Sequence, residues 1–189
     1  MIFTETKLKG SYIIELEKHI DDRGFFARSW CQKEFEEHGL NPRLVQCNIS
    51  FNSKKGTLRG MHYQAAPYEE AKLIRCVRGS IYDVIVDIRA DSATYCQWIG
   101  IELSSPRFHL PSSTSLLPAD YRMLYVPEGF AHGFITLEDD TEVFYQMSEF
   151  YAAESARGVR WNDPVFNIQW PSEVKVISDR DMTYPNFSL

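Results

Sequence analysis

The chain has 189 residues, of which 44% are hydrophobic and 24% charged, and its formal net charge is −6 at pH 7. That length suffices for one domain with its own core, and the acidic balance without a run of Lys and Arg argues against a general nucleic-acid-binding role. No apolar run reaches the ~20 residues of a membrane-spanning helix, and the N-terminus lacks the apolar region of a signal peptide. Four widely spaced cysteines without a CxxC pair predict free thiols and a cytoplasmic protein.

Short segments in which apolar and polar residues alternate follow one another along the chain. Residues 31–38 instead have apolar residues at helical spacing, and this predicted helix ends at Gly39. The predicted strands, in chain order, are two within 1–20, then 25–30, 45–51, 57–64, 72–77, 81–89, 98–103, 123–127, 130–137 and 141–147. A Ser- and Pro-rich excursion loop is expected at 104–120, and an irregular tail from 152. About ten short strands, with turns every 8–12 residues or so, predict an all-β barrel or jelly roll.

The segments 72–77 and 81–89 flank Gly79 and are predicted to form a β-hairpin. Alternation in the second arm places two sets of side chains on opposite faces: Tyr82, Val84, Val86 and Ile88 on one, and Ile81, Asp83, Ile85 and Asp87 on the other.

The strand 57–64 is unusually polar, because it carries Arg59, His62 and Gln64 where core strands carry β-branched and aromatic residues. Strict alternation would put Arg59 and His62 on opposite faces, and a bulge or twist at Gly60 would reconcile them. Lys72 opens the next predicted strand. A histidine beside cations suits abstraction of a proton next to a carbonyl, with an ammonium holding the developing enolate oxygen.

A metal site is the competing interpretation of the same residues. Cupin-type barrels commonly bind metal through His-x-His, a following carboxylate and a later histidine. Here Gln64 stands where the second histidine would be, and Glu69 or Glu70 and His132 would supply the rest. Glutamine is a poor replacement for imidazole with transition metals, so the sequence favours a site without metal.

Two further polar residues have an ordinary interpretation when taken alone. Tyr145 lies in an apolar strand, where a tyrosine usually packs, and Asp179 lies in a polar turn near the C-terminus. Several aromatic side chains could belong to the core or could stack on a planar base: Phe25, Phe26, Tyr151 and Trp161.

Six groups of residues occur in a fixed order along nearly the whole chain. They are Asp22-Arg23-Gly24-Phe25-Phe26; Gln46-x-Asn48; Gly56-x-Leu58-Arg59-Gly60-x-His62-Tyr63-Gln64; Lys72 with Gly79 and Asp83-Val84-x-Val86-Asp87-x-Arg89; Val126-Pro127-x-Gly129-x-Ala131-His132-Gly133-Phe134; and Arg157-Gly158-Val159-Arg160-Trp161-Asn162-Asp163-Pro164. As a set they closely resemble the dTDP-4-dehydrorhamnose 3,5-epimerase family.

That resemblance implies one cupin-type jelly-roll barrel over residues 1–189 with one or a few short helices, active as a homodimer without metal or cofactor. The implied activity is an isomerase of dTDP-rhamnose biosynthesis. It inverts C3 and/or C5 of a nucleotide-linked 4-keto-6-deoxyhexose, converting dTDP-4-dehydro-6-deoxy-D-glucose to dTDP-4-dehydro-L-rhamnose.

The resemblance also assigns roles to single residues. His62 would be the general base and Asp179 the carboxylate that orients it, while Lys72 stabilises the enolate and Tyr145 returns a proton from the opposite face. The residues expected to bind the diphosphate and sugar are Arg23, Arg59 and His132, and those expected to hold the nucleotide are Phe26, Gln46, Asn48 and Tyr151.

Two features depart from the family's pattern. Arg28 stands where the family usually has glutamate, near the base-binding region, and the loop 104–120 is longer than is typical. An arginine supplies donors and no acceptor, so it does not match the N3–H of thymine, and a CDP-linked sugar is a second candidate substrate. A metal-dependent cupin oxygenase and a non-catalytic sugar-binding module are the competing hypotheses for the function.

Overall fold

The computed structural model describes residues 1–105 and 121–188. Within them the strands are β1 (Ile2–Glu5), β2 (Tyr12–Glu15), β3 (His19–Asp21), β4 (Gly24–Phe26), β5 (Gln46–Asn52), β6 (Leu58–Gln64), β7 (Lys72–Arg78), β8 (Ser80–Asp87), β9 (Trp98–Ser104), β10 (Met123–Val126), β11 (Phe130–Thr136), β12 (Thr141–Met147) and β13 (Ala156–Gly158). The helices are α1 (Gln32–Glu37) and α2 (Asp179–Met182).

Two antiparallel sheets face each other, which confirms the predicted all-β jelly roll with short helices. The six-stranded sheet has the order β1-β2-β10-β7-β12-β5, and the five-stranded sheet has the order β13-β6-β11-β8-β9. A separate two-stranded hairpin is formed by β3 and β4. None of the helices in the described part of the chain is long and apolar enough to span a membrane.

The core lies between the sheets because alternate residues of each strand point inward. Ile74 and Val143 of the six-stranded sheet, and Ile85 and Phe134 of the five-stranded sheet, belong to one buried cluster. The two faces predicted for β8 are confirmed, since Ile81 and Ile85 join this inner cluster while Val84 and Val86 join an outer one.

Each sheet is also covered on its outer face. Helix α1 packs Phe35 against Tyr125 of the six-stranded sheet, with ring centroids 5.8 Å apart. Phe166 and Ile168 of the C-terminal tail pack on the outer face of the five-stranded sheet. The tail is thereby held across this sheet, and it delivers α2 to the N-terminal end of β6, where Val176 bridges Thr57.

The predicted hairpin around Gly79 is wrong, because its two arms lie in different sheets. Strand β7 pairs with β10 and β12, whereas β8 pairs with β11 and β9. Gly79 has φ +74°, and a Cβ there would lie 2.5 Å from Thr141 Oγ1. A hairpin turn and a crossing between sheets both need a glycine of this kind, so the local pattern does not separate them.

Other boundaries also differ from the sequence prediction. Strand β4 ends at Phe26 rather than continuing to residue 30, and the tail predicted as irregular contains β13 and α2. Beyond residue 105, the predicted excursion loop at 104–120 lies outside the described residues.

Candidate active site

A cavity of about 530 Å³ opens between the sheets, where polar side chains replace the apolar core. Its walls come from β5, β7 and β12 of one sheet and from β6 and β11 of the other. Eight of the eleven residues that the sequence assigned to the site line this cavity: Gln46, Asn48, Arg59, His62, Lys72, His132, Tyr145 and Tyr151.

A bulge in β6 brings Arg59 and His62 to the same face, as the sequence predicted. Arg59 is paired with Phe134 and His62 with His132, so β6 has one residue more than β11 between the two pairs. Gly60 lies in this extra stretch with φ +140°, and a Cβ there would come within 2.5 Å of the β11 backbone. Only glycine fits so close an approach at such a φ, which explains the glycine in an otherwise side-chain-rich strand.

His62 is held by a buried carboxylate from the C-terminal tail. Its Nε2 lies 2.7 Å from Asp181 Oδ1, and the backbone N–H of Gly60 donates to Asp181 Oδ2 at 3.1 Å. Burial disfavours the charged carboxylate, but the hydrogen bonds from His62 and Gly60 outweigh burial, so the pKa of Asp181 is lowered. An ionised carboxylate only accepts, so Nε2 carries the proton in the neutral ring and Nδ1 keeps the lone pair that a base needs.

The carboxylate at this place is Asp181, not Asp179 as expected from the sequence. Asp179 is the exposed first residue of α2, whereas Asp181 is 4% exposed. Two positions along a helix correspond to about 200° of rotation, so two such aspartates point to nearly opposite sides. The sequence Ser178-Asp179-Arg180-Asp181 therefore offered two carboxylates, and the packing of the tail on β6 selects the second.

Lys72 enters the cavity from the opposite sheet and is paired with Glu70. Its Nζ lies 2.8 Å from Glu70 Oε1, and the two side chains are 9% and 3% exposed. The carbonyl of His62 lies 3.5 Å from the same Nζ. An ammonium in this position carries donors into the cavity beside the histidine of the facing strand.

A second histidine and carboxylate pair lies next to the first. His132 Nε2 is 2.6 Å from Asp83 Oδ1, and both residues are buried. His132 is the register partner of His62 across β6 and β11. Asp83 thus lies on the same face of β8 as Ile81 and Ile85, as alternation predicted, and the contact fixes His132 in the cavity wall.

Tyr145 lies on β12, in the same sheet as Lys72, between Asn48 of β5 and Ile74 of β7. Burial raises the pKa of its phenol, and the positive charge of Arg59 opposes this effect. The hydroxyl is therefore protonated at neutral pH and can donate into the cavity.

The residues of the alternative metal site are engaged in other contacts. Gln64 Oε1 accepts from the backbone of Ala152 at 2.7 Å, while Nε2 donates to the carbonyls of Tyr68 and Phe150 at 2.7 and 3.1 Å. The Nε2 atoms of His62 and His132 face carboxylates, and Glu69 is exposed. In residues 1–105 and 121–188 no three His, Cys, Asp or Glu side chains are grouped as metal ligands.

Sequence reasoning missed two arginines and one carboxylate of the cavity wall. Arg157 of β13 and Arg180 of α2 line the cavity together with Arg59. A hydrogen bond to Tyr151 raises the pKa of Arg180. The signals were present, since Arg157 belongs to a recognised motif and Arg180 stands between the two aspartates of α2. Glu70 was considered only as a metal ligand.

Arg23 and Phe26 do not line the cavity of their own chain. Both belong to the β3–β4 hairpin, where Arg23 pairs with Asp21 and Phe26 is 75% exposed. Arg28 follows the hairpin, and its Nη1 donates to Glu34 Oε1 at 2.8 Å.

The chain is similar to known proteins over nearly its whole length. The family model described as dTDP-4-dehydrorhamnose 3,5-epimerase matches residues 5–188. The dTDP-4-dehydrorhamnose 3,5-epimerase of Shigella flexneri is 41% identical over 184 residues, which cover 97% of this chain and 94% of that protein. The chain belongs to the dTDP-4-dehydrorhamnose 3,5-epimerase family. The family and the isomerase class predicted from the sequence are therefore confirmed.

Solved structures of the family have the same architecture. The crystal structure of the epimerase from Elizabethkingia anophelis superposes with a TM-score of 0.89 at 37% identity, covering 99% of this chain and 96% of that one. The epimerase from Bacillus anthracis, solved with TDP and PPi bound, superposes with a TM-score of 0.86 at 40% identity, covering 98% and 99% of the two chains.

Proposed function

We propose that this protein inverts C3 and/or C5 of a dTDP-linked 4-keto-6-deoxyhexose, converting dTDP-4-dehydro-6-deoxy-D-glucose to dTDP-4-dehydro-L-rhamnose. The observation that carries the proposal is the placement of a base and an acid on facing sheets. His62 comes from the five-stranded sheet, whereas Tyr145 and Lys72 come from the six-stranded sheet on the other side of one cavity. Inversion of a carbon requires a proton to leave from one face and return to the other, and this arrangement supplies both faces.

The chemistry follows from the polarity of these groups. His62 takes the proton from a carbon beside the ketone, and Asp181 stabilises the imidazolium that forms. The Lys72 ammonium donates to the ketone oxygen, where negative charge develops in the enolate. Tyr145 then returns a proton from the opposite face, because its phenol stays protonated at neutral pH.

Cationic and amide groups around the mouth suit the nucleotide diphosphate. Arg59, Arg157 and Arg180 provide forks of N–H donors that match phosphate oxygens. Gln46 and Asn48 lie side by side on β5, with Gln46 Nε2 donating to Asn48 Oδ1 at 3.1 Å. The TDP bound to the relative from Bacillus anthracis supports a thymidine nucleotide as the ligand of this chain.

The β3–β4 hairpin supports a homodimer in which two chains complete each other's sites. Ile20 and Phe26 of the hairpin are 80% and 75% exposed, and the Arg23 side chain is 89% exposed. Ile49 and Phe51, which line the cavity mouth, are 66% and 48% exposed. The proposed dimer covers these apolar surfaces with the partner's hairpin and brings Arg23 and Phe26 to the nucleotide.

We place the reaction in the cytoplasm. All four cysteines of the chain are free thiols in the structure, which is the form that a reducing compartment maintains.

The test is solvent deuterium uptake. The protein, treated with chelator, is incubated in heavy water with dTDP-4-dehydro-6-deoxy-D-glucose, and the C3 and C5 protons are followed by NMR. We expect exchange at one or both carbons and the appearance of dTDP-4-dehydro-L-rhamnose. His62→Ala should abolish the exchange, whereas His38→Ala, which changes an exposed histidine at the end of α1 and outside the cavity, should retain it. A wild-type protein that exchanges neither carbon, with or without chelator, would refute the epimerase, and exchange that is lost only after chelator treatment would favour a metal-dependent site.

A further inference from the structure

Glu70 leaves one carboxylate oxygen unused at the cavity wall. Its side chain is 3% exposed, and Oε1 is 2.8 Å from the Lys72 ammonium. Its Oε2 is buried and has no hydrogen-bond partner among the described residues, while Glu70 lines the cavity. Asp83 also has a buried oxygen without a partner, but Asp83 does not line the cavity.

A buried carboxylate oxygen without a donor is unfavourable, because the lost hydration is not replaced. A carboxylate that served only to neutralise Lys72 would gain by presenting its second oxygen to water or to a backbone N–H. Glu70 instead keeps this free acceptor in the cavity wall beside the Lys72 ammonium, where a small rotation of the carboxylate turns it towards a ligand. The pair therefore matches a ligand that has a carbonyl oxygen and a hydroxyl on neighbouring carbons.

We propose that Lys72 and Glu70 together recognise an α-hydroxyketone. Lys72 Nζ donates to the ketone oxygen, and Glu70 Oε2 accepts a hydrogen bond from the adjacent hydroxyl while Oε1 fixes the ammonium. In a 4-keto-6-deoxyhexose this hydroxyl is the one on C3, because C5 carries the ring oxygen and the methyl group. This inference rests on the proposed function and adds a specificity-determining residue to it.

The experiment compares two substrates at C5, the carbon beside the ketone that has the same substituents in both. Deuterium uptake at C5 is measured with the dTDP-linked 4-keto-6-deoxyhexose and with its 3-deoxy analogue, and kcat/KM is obtained for each. The wild-type protein should prefer the hydroxylated substrate by about 10- to 100-fold, the range expected for a hydrogen bond to a charged group.

The variant Glu70→Met should lose this preference. Its absolute rates will fall for both substrates, since Lys72 loses its partner, so the ratio of the two kcat/KM values is the readout. Glu70→Gln, whose amide oxygen can still accept, should recover part of the preference. Glu69→Met, which changes the exposed neighbouring carboxylate, should keep the wild-type ratio.

Two outcomes would overturn the role of Glu70: equal kcat/KM values for the two substrates in the wild-type protein, or an unchanged ratio in folded Glu70→Met. The wild-type comparison needs no variant, so it decides the matter even where thermal unfolding shows that Glu70→Met does not fold. An absence of uptake at both C3 and C5 by the wild-type protein with the hydroxylated substrate contradicts the proposed function itself. Uptake without preference contradicts only the α-hydroxyketone contact.

Discussion

Asp179 and Asp181 are two positions apart in one short helix, and they provide a matched pair for testing the proposed base. Asp181 holds His62 Nε2 and is buried, while Asp179 is exposed at the start of α2. Both changes to asparagine keep the size of the side chain and remove one negative charge. A difference between them therefore reports the contact with His62 rather than the net charge of the tail.

We expect Asp181→Asn to lower the rate of deuterium uptake by about 10²–10⁴-fold, because the neutral amide no longer stabilises the imidazolium. Asp179→Asn should retain the wild-type rate. Equal losses in the two variants would show that Asp181 does not act through His62.

Tyr145→Phe separates proton removal from proton return. His62 remains intact, so the variant should still exchange substrate protons for solvent deuterium. The rate of inversion should fall by about 10²-fold or more, because the acid on the opposite face is missing. NMR of one reaction mixture measures both quantities. A variant that makes dTDP-4-dehydro-L-rhamnose at the wild-type rate would remove Tyr145 from the mechanism.

At the scale of the elements, periodicity predicts which side chains share a face but not which strands share a sheet. The two faces of β8 follow from alternation, and the bulge at Gly60 follows from the conflict between Arg59 and His62. The partners of β7 and β8 do not follow, because the turn at Gly79 serves a hairpin and a crossing between sheets equally well. Contacts made by distant segments, such as α2 against β6, are decided by tertiary packing that no local pattern contains.

The β3–β4 hairpin yields a test of the shared site by complementation. One chain carries Arg23→Ala and Phe26→Ala, and the other carries His62→Ala, so each homodimer should be nearly inactive. After the chains are mixed and allowed to exchange, half of the dimers are mixed and each has one intact site. We expect recovery of about a quarter of the wild-type activity, as random pairing of two chains gives.

Complementation distinguishes the two places in which the hairpin could act. Recovery requires that the hairpin of the chain carrying His62→Ala serves the intact His62 of its partner. If the hairpin served its own cavity, both sites of a mixed dimer would be defective and no activity would return. Light scattering of the wild-type protein provides the control, and a mass near the 21.9 kDa of one chain would refute the dimer.

At the scale of the whole molecule, Asp87 joins the end of β8 to the loop that follows. Its buried carboxylate accepts from Arg89 Nη2 at 2.7 Å, from Ser92 Oγ at 2.5 Å and from Thr94 Oγ1 at 2.6 Å. Burial disfavours its charge, but these donors outweigh burial and lower the pKa of Asp87 from 3.8 to about 2. The ionised form is therefore bound more tightly by the folded chain than by the unfolded chain.

A lowered carboxyl pKa stabilises the fold above the unfolded value, and this stabilisation disappears as the pH falls from about 4 to about 2. The shift corresponds to about 2 kcal/mol of unfolding free energy at neutral pH. Asp87→Asn should therefore unfold more easily at pH 7 and should lose less stability between pH 4 and pH 2 than the wild-type protein does. Urea denaturation at several pH values measures both effects, with Asp91→Asn, an exposed neighbour in the same loop, as the control. If Asp87→Asn and the wild-type protein lose the same free energy over this interval, the network around Asp87 does not contribute the pH dependence.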